Sequence, residues 1–245
     1  MTATINPAGW LRSPAFDIGF IVGIAALALA SGAIALLFPR LFIPIVIIDL
    51  WFLGYHHVIA TYTRLCFDRE SLHTHPFLLW GLPFIVLAGT LALANGLGLW
   101  SLTTLYFYWQ WFHYARQNWG LSQAYRRKAG KRINDDPRLS EAVFYLLPLW
   151  GLLHRSWQNP NKFLALDFRL LPVPKMAEQA VAAAALIGIG WWIITRVQAW
   201  RRGELAVAHT LFTLSHFTIF YVAYIAIEDV SVGWLVINIW HNAQY

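Results

Sequence analysis

No charged side chain interrupts this chain between Ile18 and Phe38. A run of that length matches the roughly 20 apolar residues a helix needs to cross the hydrocarbon core of a bilayer. Seven more runs of similar character follow, at Ile43–Cys66, Phe77–Leu99, Leu102–Leu121, Ala142–Leu153, Ala177–Val197, Leu205–Ile227 and Val230–Tyr245. Inside lipid only helices and closed barrels satisfy every backbone hydrogen bond, and long runs without strict alternation specify helices. The expected fold is therefore an all-α integral membrane protein, a bundle of 7-8 transmembrane helices forming one polytopic domain over residues 1–245. The fifth run is short enough to be re-entrant. The eighth stops with the sequence, so either the last helix is short or a tail is missing.

Charged residues make up 12% of the chain, about half the roughly 25% of an ordinary globular domain. Trp and Tyr are abundant, as bilayer interfaces favour. The net charge of +6 is no nucleic-acid footprint, because the basic residues gather at the ends of the apolar runs. With the N-terminus on the cytoplasmic side, the inner loops hold Arg64 and Arg69, then Arg116, Arg126, Arg127, Lys128, Lys131, Arg132 and Arg138, then Arg196, Arg201 and Arg202. The outer loops are poorer, apart from Arg155, Lys162, Arg169 and Lys175. That asymmetry favours a cytoplasmic N-terminus. The outer stretch Phe163–Leu171 reads as an amphipathic segment lying along the interface. Met1–Asp17 is mixed and proline-containing, with no cleavable signal peptide evident. The lone Cys66 excludes an internal disulfide and a cysteine-rich metal site, leaving His, carboxylate and amide groups as ligands.

Six of the nine histidines lie inside the apolar runs: His56, His57, His113, His209, His216 and His241. An ionisable side chain in a span is costly and marks a functional position by default. At 1.5 Å per residue, His57 sits about 12 Å and His113 about 10 Å from the inner ends of their runs; His209 and His216 are about 6 and 16 Å in. All six then fall in the cytoplasmic half. Helix faces agree: Asp49 and His56 are seven residues apart, as are His209 and His216, and residues so spaced share a face. Tyr106, Gln110, His113 and Gln117 form one polar stripe, and Asn238, His241, Asn242 and Tyr245 another. Being adjacent, His56 and His57 point about 100° apart, so one of them faces the centre.

This pattern predicts a metal site held by His56, His57, His113, His209, His216 and His241, with Asp49 as a ligand or as an acceptor behind a ligand. Gln110, Gln117, Asn238 and Asn242 are expected to orient the rings. One or two iron ions there would suit oxidation of a lipid-soluble substrate arriving from the bilayer. The basic stretch Arg126, Arg127, Lys128, Lys131 and Arg132 would receive an acidic electron-donor protein. His73 and His75 read chiefly as loop residues, His154 as structural, and Glu228-Asp229 as a solvated turn.

Tyr55-His56-His57, Phe112-His113-Tyr114-Ala115-Arg116-Gln117 and Trp240-His241-Asn242 resemble the histidine clusters of integral-membrane iron enzymes: fatty-acid desaturases, alkane and carotenoid hydroxylases, and bacterial carotene oxygenases. The spaced histidine boxes of the desaturases are absent, and the resemblance covers only the span-embedded histidines. It implies a non-haem iron oxygenase or desaturase acting on a lipid or isoprenoid. Two other classes stay open: a haem-binding electron carrier with paired axial histidines, and a proton-coupled transporter with a histidine relay. A Soret band would select the first, and transport without bound metal the second.

Overall fold

The computed structural model describes residues 9–130, 133 and 136–244 of the chain. Lys131, Arg132 and Tyr245, all named above, lie outside the described residues, as does the side chain of Arg64. The structure is mostly helical. The helices are α1 (Pro14–Leu37), α2 (Pro39–Phe67), α3 (Arg69–Thr74), α4 (Phe77–Gly96), α5 (Leu99–Ala129), α6 (Pro137–Gln158), α7 (Lys175–Arg201), α8 (Val207–Tyr221, continued by a π-turn at Val222–Ala226) and α9 (Val230–Asn242). Four of them, α1, α2, α4 and α7, are long and apolar enough to cross a membrane.

Local chemistry sets the ends. Ser13 caps α1, Asp68 caps α3, Asp136 caps α6 ahead of Pro137, and Asp229 caps α9 by accepting from Ser231 N and Val232 N at 2.8 and 3.0 Å. Such side chains satisfy amides that have no partner within the helix. Glu228-Asp229 is the exposed turn expected, and Asp229 in addition caps the helix that follows. α5 runs well past the apolar stretch expected at Leu102–Leu121 and ends at Gly130, where φ is +59°. α6 is longer than expected, spanning 22 residues rather than stopping at Leu153.

At the centre stands α9, almost every residue of which is buried. Against it pack α1, the first half of α2 and α8; α5 reaches it through the side chains of Gln110 and Tyr114, α6 packs on α8 and α5, and α7 lies against α6. The approach of α9 to α8 is close: a Cβ at Gly233 would lie 2.1 Å from the Ala223 carbonyl oxygen. α4 buries none of its residues, and the second half of α2 is similarly open.

Arg155, one of the basic residues that run against a cytoplasmic N-terminus, has a local structural role. It is 1% exposed, and its guanidinium donates to the carbonyl oxygens of Ala223, Ile227 and Glu228 and to Gln158 Oε1. The Ala223 carbonyl lies in the last turn of α8 and those of Ile227 and Glu228 just follow it, so Arg155 caps the C-terminal end of the helix. The stretch expected along the interface instead folds back as a two-stranded hairpin, Lys162–Phe163 with Leu166–Asp167, turned by Leu164 and Ala165 at φ +50° and +65°. Phe163 and Phe168 are buried there against Phe107, and the aromatic contacts hold the segment on the bundle.

Candidate metal centre

α2 contains a π-turn at Leu50–Gly54, which inserts one extra residue into the helix. Positions eight apart across it behave as positions seven apart do in an uninterrupted helix. Asp49 therefore shares a face with His57, and His56 turns outward and is exposed. The seven-residue spacing had paired Asp49 with His56; the π-turn is the reason the structure does not.

His57 meets His113 from α5 and His241 from α9. Ring centroids are 5.9 Å apart for His57–His113, 5.1 Å for His57–His241 and 5.0 Å for His113–His241. One nitrogen from each ring falls within 4.8 Å of the other two. His241 is 1% exposed, while His57 and His113 are half-buried, so the cluster is closed on the α9 side and open toward the face between α2 and α5. Tyr55, Val58 and Phe112, close to the two half-buried imidazoles in sequence, are exposed.

Behind the imidazoles lies a polar chain drawn from the same three helices. Asp49 accepts from Asn238 Nδ2 at 2.5 Å and from Asn242 Nδ2 at 3.1 Å. The hydroxyl of Tyr114 faces Asn238 Oδ1 at 2.5 Å and Gln110 Oε1. Gln110 Oε1 also accepts from Trp234 Nε1 at 2.8 Å. Tyr114 packs its ring 4.6 Å from that of His241. Gly54 allows α2 to come this close, since a Cβ there would sit 3.3 Å from Asn242 Nδ2. Trp234 and Gly54 carry no signal in the sequence. Tyr114 stands there only as a neighbour of His113 in Phe112-His113-Tyr114, with no role of its own.

The remaining expected ligands are elsewhere. Asp49 stands behind the imidazoles, held by the two asparagines. His209 Nε2 is 3.3 Å from Ser122 Oγ on α5. His216 is fully buried and stacks on Phe144 with centroids 3.7 Å apart, its Nε2 donating to the Phe144 carbonyl at 3.1 Å. That carbonyl has a specific need. Pro148 lies four residues on in α6 and has no N–H to give it. His216 supplies the missing donor, which is a structural reason for an imidazole in an apolar helix. Gln117 is half-buried one turn beyond His113. His154 Nδ1 lies 3.2 Å from Glu178, which also accepts from Trp150 Nε1 and pairs with Lys175. Arg126 is half-buried, and Arg127 and Lys128 are exposed, on the last turn of α5.

No protein-family model, curated protein or solved structure matches this chain.

Proposed function

We propose that this chain is a membrane-embedded metalloenzyme whose ion is held by His57, His113 and His241, a non-haem iron oxidoreductase acting on a lipid or isoprenoid. The observation that carries the reading is the convergence of three imidazoles, from three helices, on one point. Three nitrogens bound to one ion at about 2.1 Å stand about 3.0–3.4 Å apart. The 4.8 Å limit seen here is within reach of small ring movements. Neutral imidazoles suit iron, copper and zinc. Three imidazoles closing on one point are one more than the two axial positions of a haem take, which favours a single ion.

Iron bound there would supply O₂ and one-electron chemistry. The chain's own residues would do the rest. His241, with Tyr114 packed on it, closes the inner side against water. The half-buried His57 and His113 leave the cluster accessible, and the exposed Tyr55, Val58 and Phe112, close to them in sequence, offer surfaces that suit a hydrocarbon chain. The unburied surface of α4 and of the second half of α2 would face lipid, with seven or eight spans in all. The N-terminus would be cytoplasmic: three of the four basic residues that oppose this orientation are occupied locally, Arg155 as a helix cap, Lys162 by Asp167 at 2.8 Å and Lys175 by Glu178 at 3.0 Å. Arg126, Arg127 and Lys128 would dock an acidic electron donor, and salt should then slow turnover.

Elemental analysis and an optical spectrum of purified wild type and His113→Ala test this reading. About one iron per chain, no Soret band and loss of iron in the variant are expected. A Soret band would select a haem carrier. Folded protein without metal would return the histidines to packing or a proton relay.

A further inference from the structure

Between α7 and the start of α8 lies a cleft of about 260 Å³. Trp192 forms its buried wall, while Trp200 and Leu214 stand exposed at its rim. Residues four apart on a helix lie one above another, so Trp192, Arg196 and Trp200 make one stripe along the α7 side. The α8 side adds little polarity, because Thr210 gives its hydroxyl proton to the Ala206 carbonyl at 2.8 Å. A cavity that takes in a whole small molecule holds roughly 300–1,000 Å³. This one has room for a single flexible chain lying along the helix.

Among the described residues that line the cleft, Arg196 is the one with a charge. It is 6% exposed, its Nε donates to Thr195 Oγ1 at 3.3 Å, and its guanidinium carbon lies 5.9 Å from the centre of the Trp192 ring. A guanidinium has donors for several partners at once. More cations gather at this end of the bundle. Arg201 and Arg202 are exposed at the end of α7. Ala129 packs with Ala206, which brings Arg126, Arg127 and Lys128 of α5 to the same end. The one acid in the connection from α7 to α8, Glu204, pairs with Arg202 at 2.9 Å.

We infer that this cleft binds an anionic phospholipid, with an acyl chain against Trp192, Leu205 and Leu214 and the phosphate met by Arg196 and the basic end of α7. α7 is long and apolar enough to cross a membrane, and a basic pocket between such helices suits an acidic headgroup. The inference rests on the membrane-embedded part of the proposed function and not on the metal.

Native mass spectrometry of the full-length protein released from detergent, with phosphatidylglycerol or phosphatidylcholine added, tests it. Wild type should retain one phosphatidylglycerol with a preference of about fivefold over phosphatidylcholine, the worth of one arginine near an anionic surface. Arg196→Gln should remove the preference. Leu214→Trp, a change at an exposed position, should fill the cleft and lose the retained lipid without a change in fold. Equal retention of the two lipids by wild type, or a preference undiminished in either variant, would overturn the inference. Iron measured on the same samples keeps the two readings apart. Lipid preference without iron removes the metalloenzyme and leaves the cleft; iron without lipid preference does the reverse.

Discussion

His216 and His113 are both helix-borne imidazoles, and their replacement should have opposite consequences. His216→Ala removes a fully buried ring that stacks on Phe144 at 3.7 Å and lies 4.5 Å from Phe220. Losing a buried aromatic ring costs about 3–5 kcal/mol. Of this, about 1–3 kcal/mol belongs to the Phe144 carbonyl, left buried without a donor. In a chain of this size each kcal/mol lowers the melting temperature by roughly 2–4 °C, so a fall on the order of 10 °C is expected. Metal content should stay at the wild-type value. The cause can be isolated with Pro148→Ala, which restores a backbone N–H four residues after Phe144. In that background His216→Ala should cost about 1–2 kcal/mol less, because the carbonyl regains a partner. Thermal melts of the four proteins in one detergent, with metal analysis on each, supply the cycle. Additive melting shifts, or metal loss on His216→Ala matching that of His113→Ala, would refute the assignment of His216 to helix repair.

Arg155→Met should destabilise the fold by about 3–5 kcal/mol, since it strips a buried charge-bearing donor from three carbonyl oxygens; Arg155→Lys should recover only part, having one nitrogen in place of a fork, and proteolysis at the α8–α9 junction is a sensitive readout. Gly54→Ala should lower metal affinity with a stability loss of about 1 kcal/mol, because the added methyl presses on Asn242 and pushes α2 from α9; a metal titration followed by melting separates the two effects.

Much of the architecture is legible in the sequence, because apolar run length and charge placement are one-dimensional signals. That a helical, membrane-compatible chain brings His57, His113 and His241 together follows from stripes that can be counted. What the stripes miss is phase and local need. A π-turn leaves no mark beyond a glycine at its end, so the Asp49–His56 spacing pointed to the wrong member of the pair. Pro148 and His216 stand far apart in the chain, and only packing shows that one answers the other. Arg155 looked like an orientation marker because a helix-capping arginine and an interfacial one have the same letter. Phe163 and Phe168 suited an interface segment equally well; the left-handed residues Leu164 and Ala165 that fold them inward carry no glycine to announce the turn.

The adjacent imidazoles of α2 give the site an unusual tolerance. Straightening the π-turn at Leu50–Gly54 into regular helix, with no residue lost, would rotate everything after it by about 100° about the axis. In most helices such a rotation would replace a ligand with whatever stood beside it. Here the neighbour that swings inward is another histidine, so the change would exchange His57 for His56 and leave an imidazole facing His113 and His241. Deleting one residue from the turn would instead keep His57 on the face of Asp49, so this stretch presents the same chemical group with either pitch.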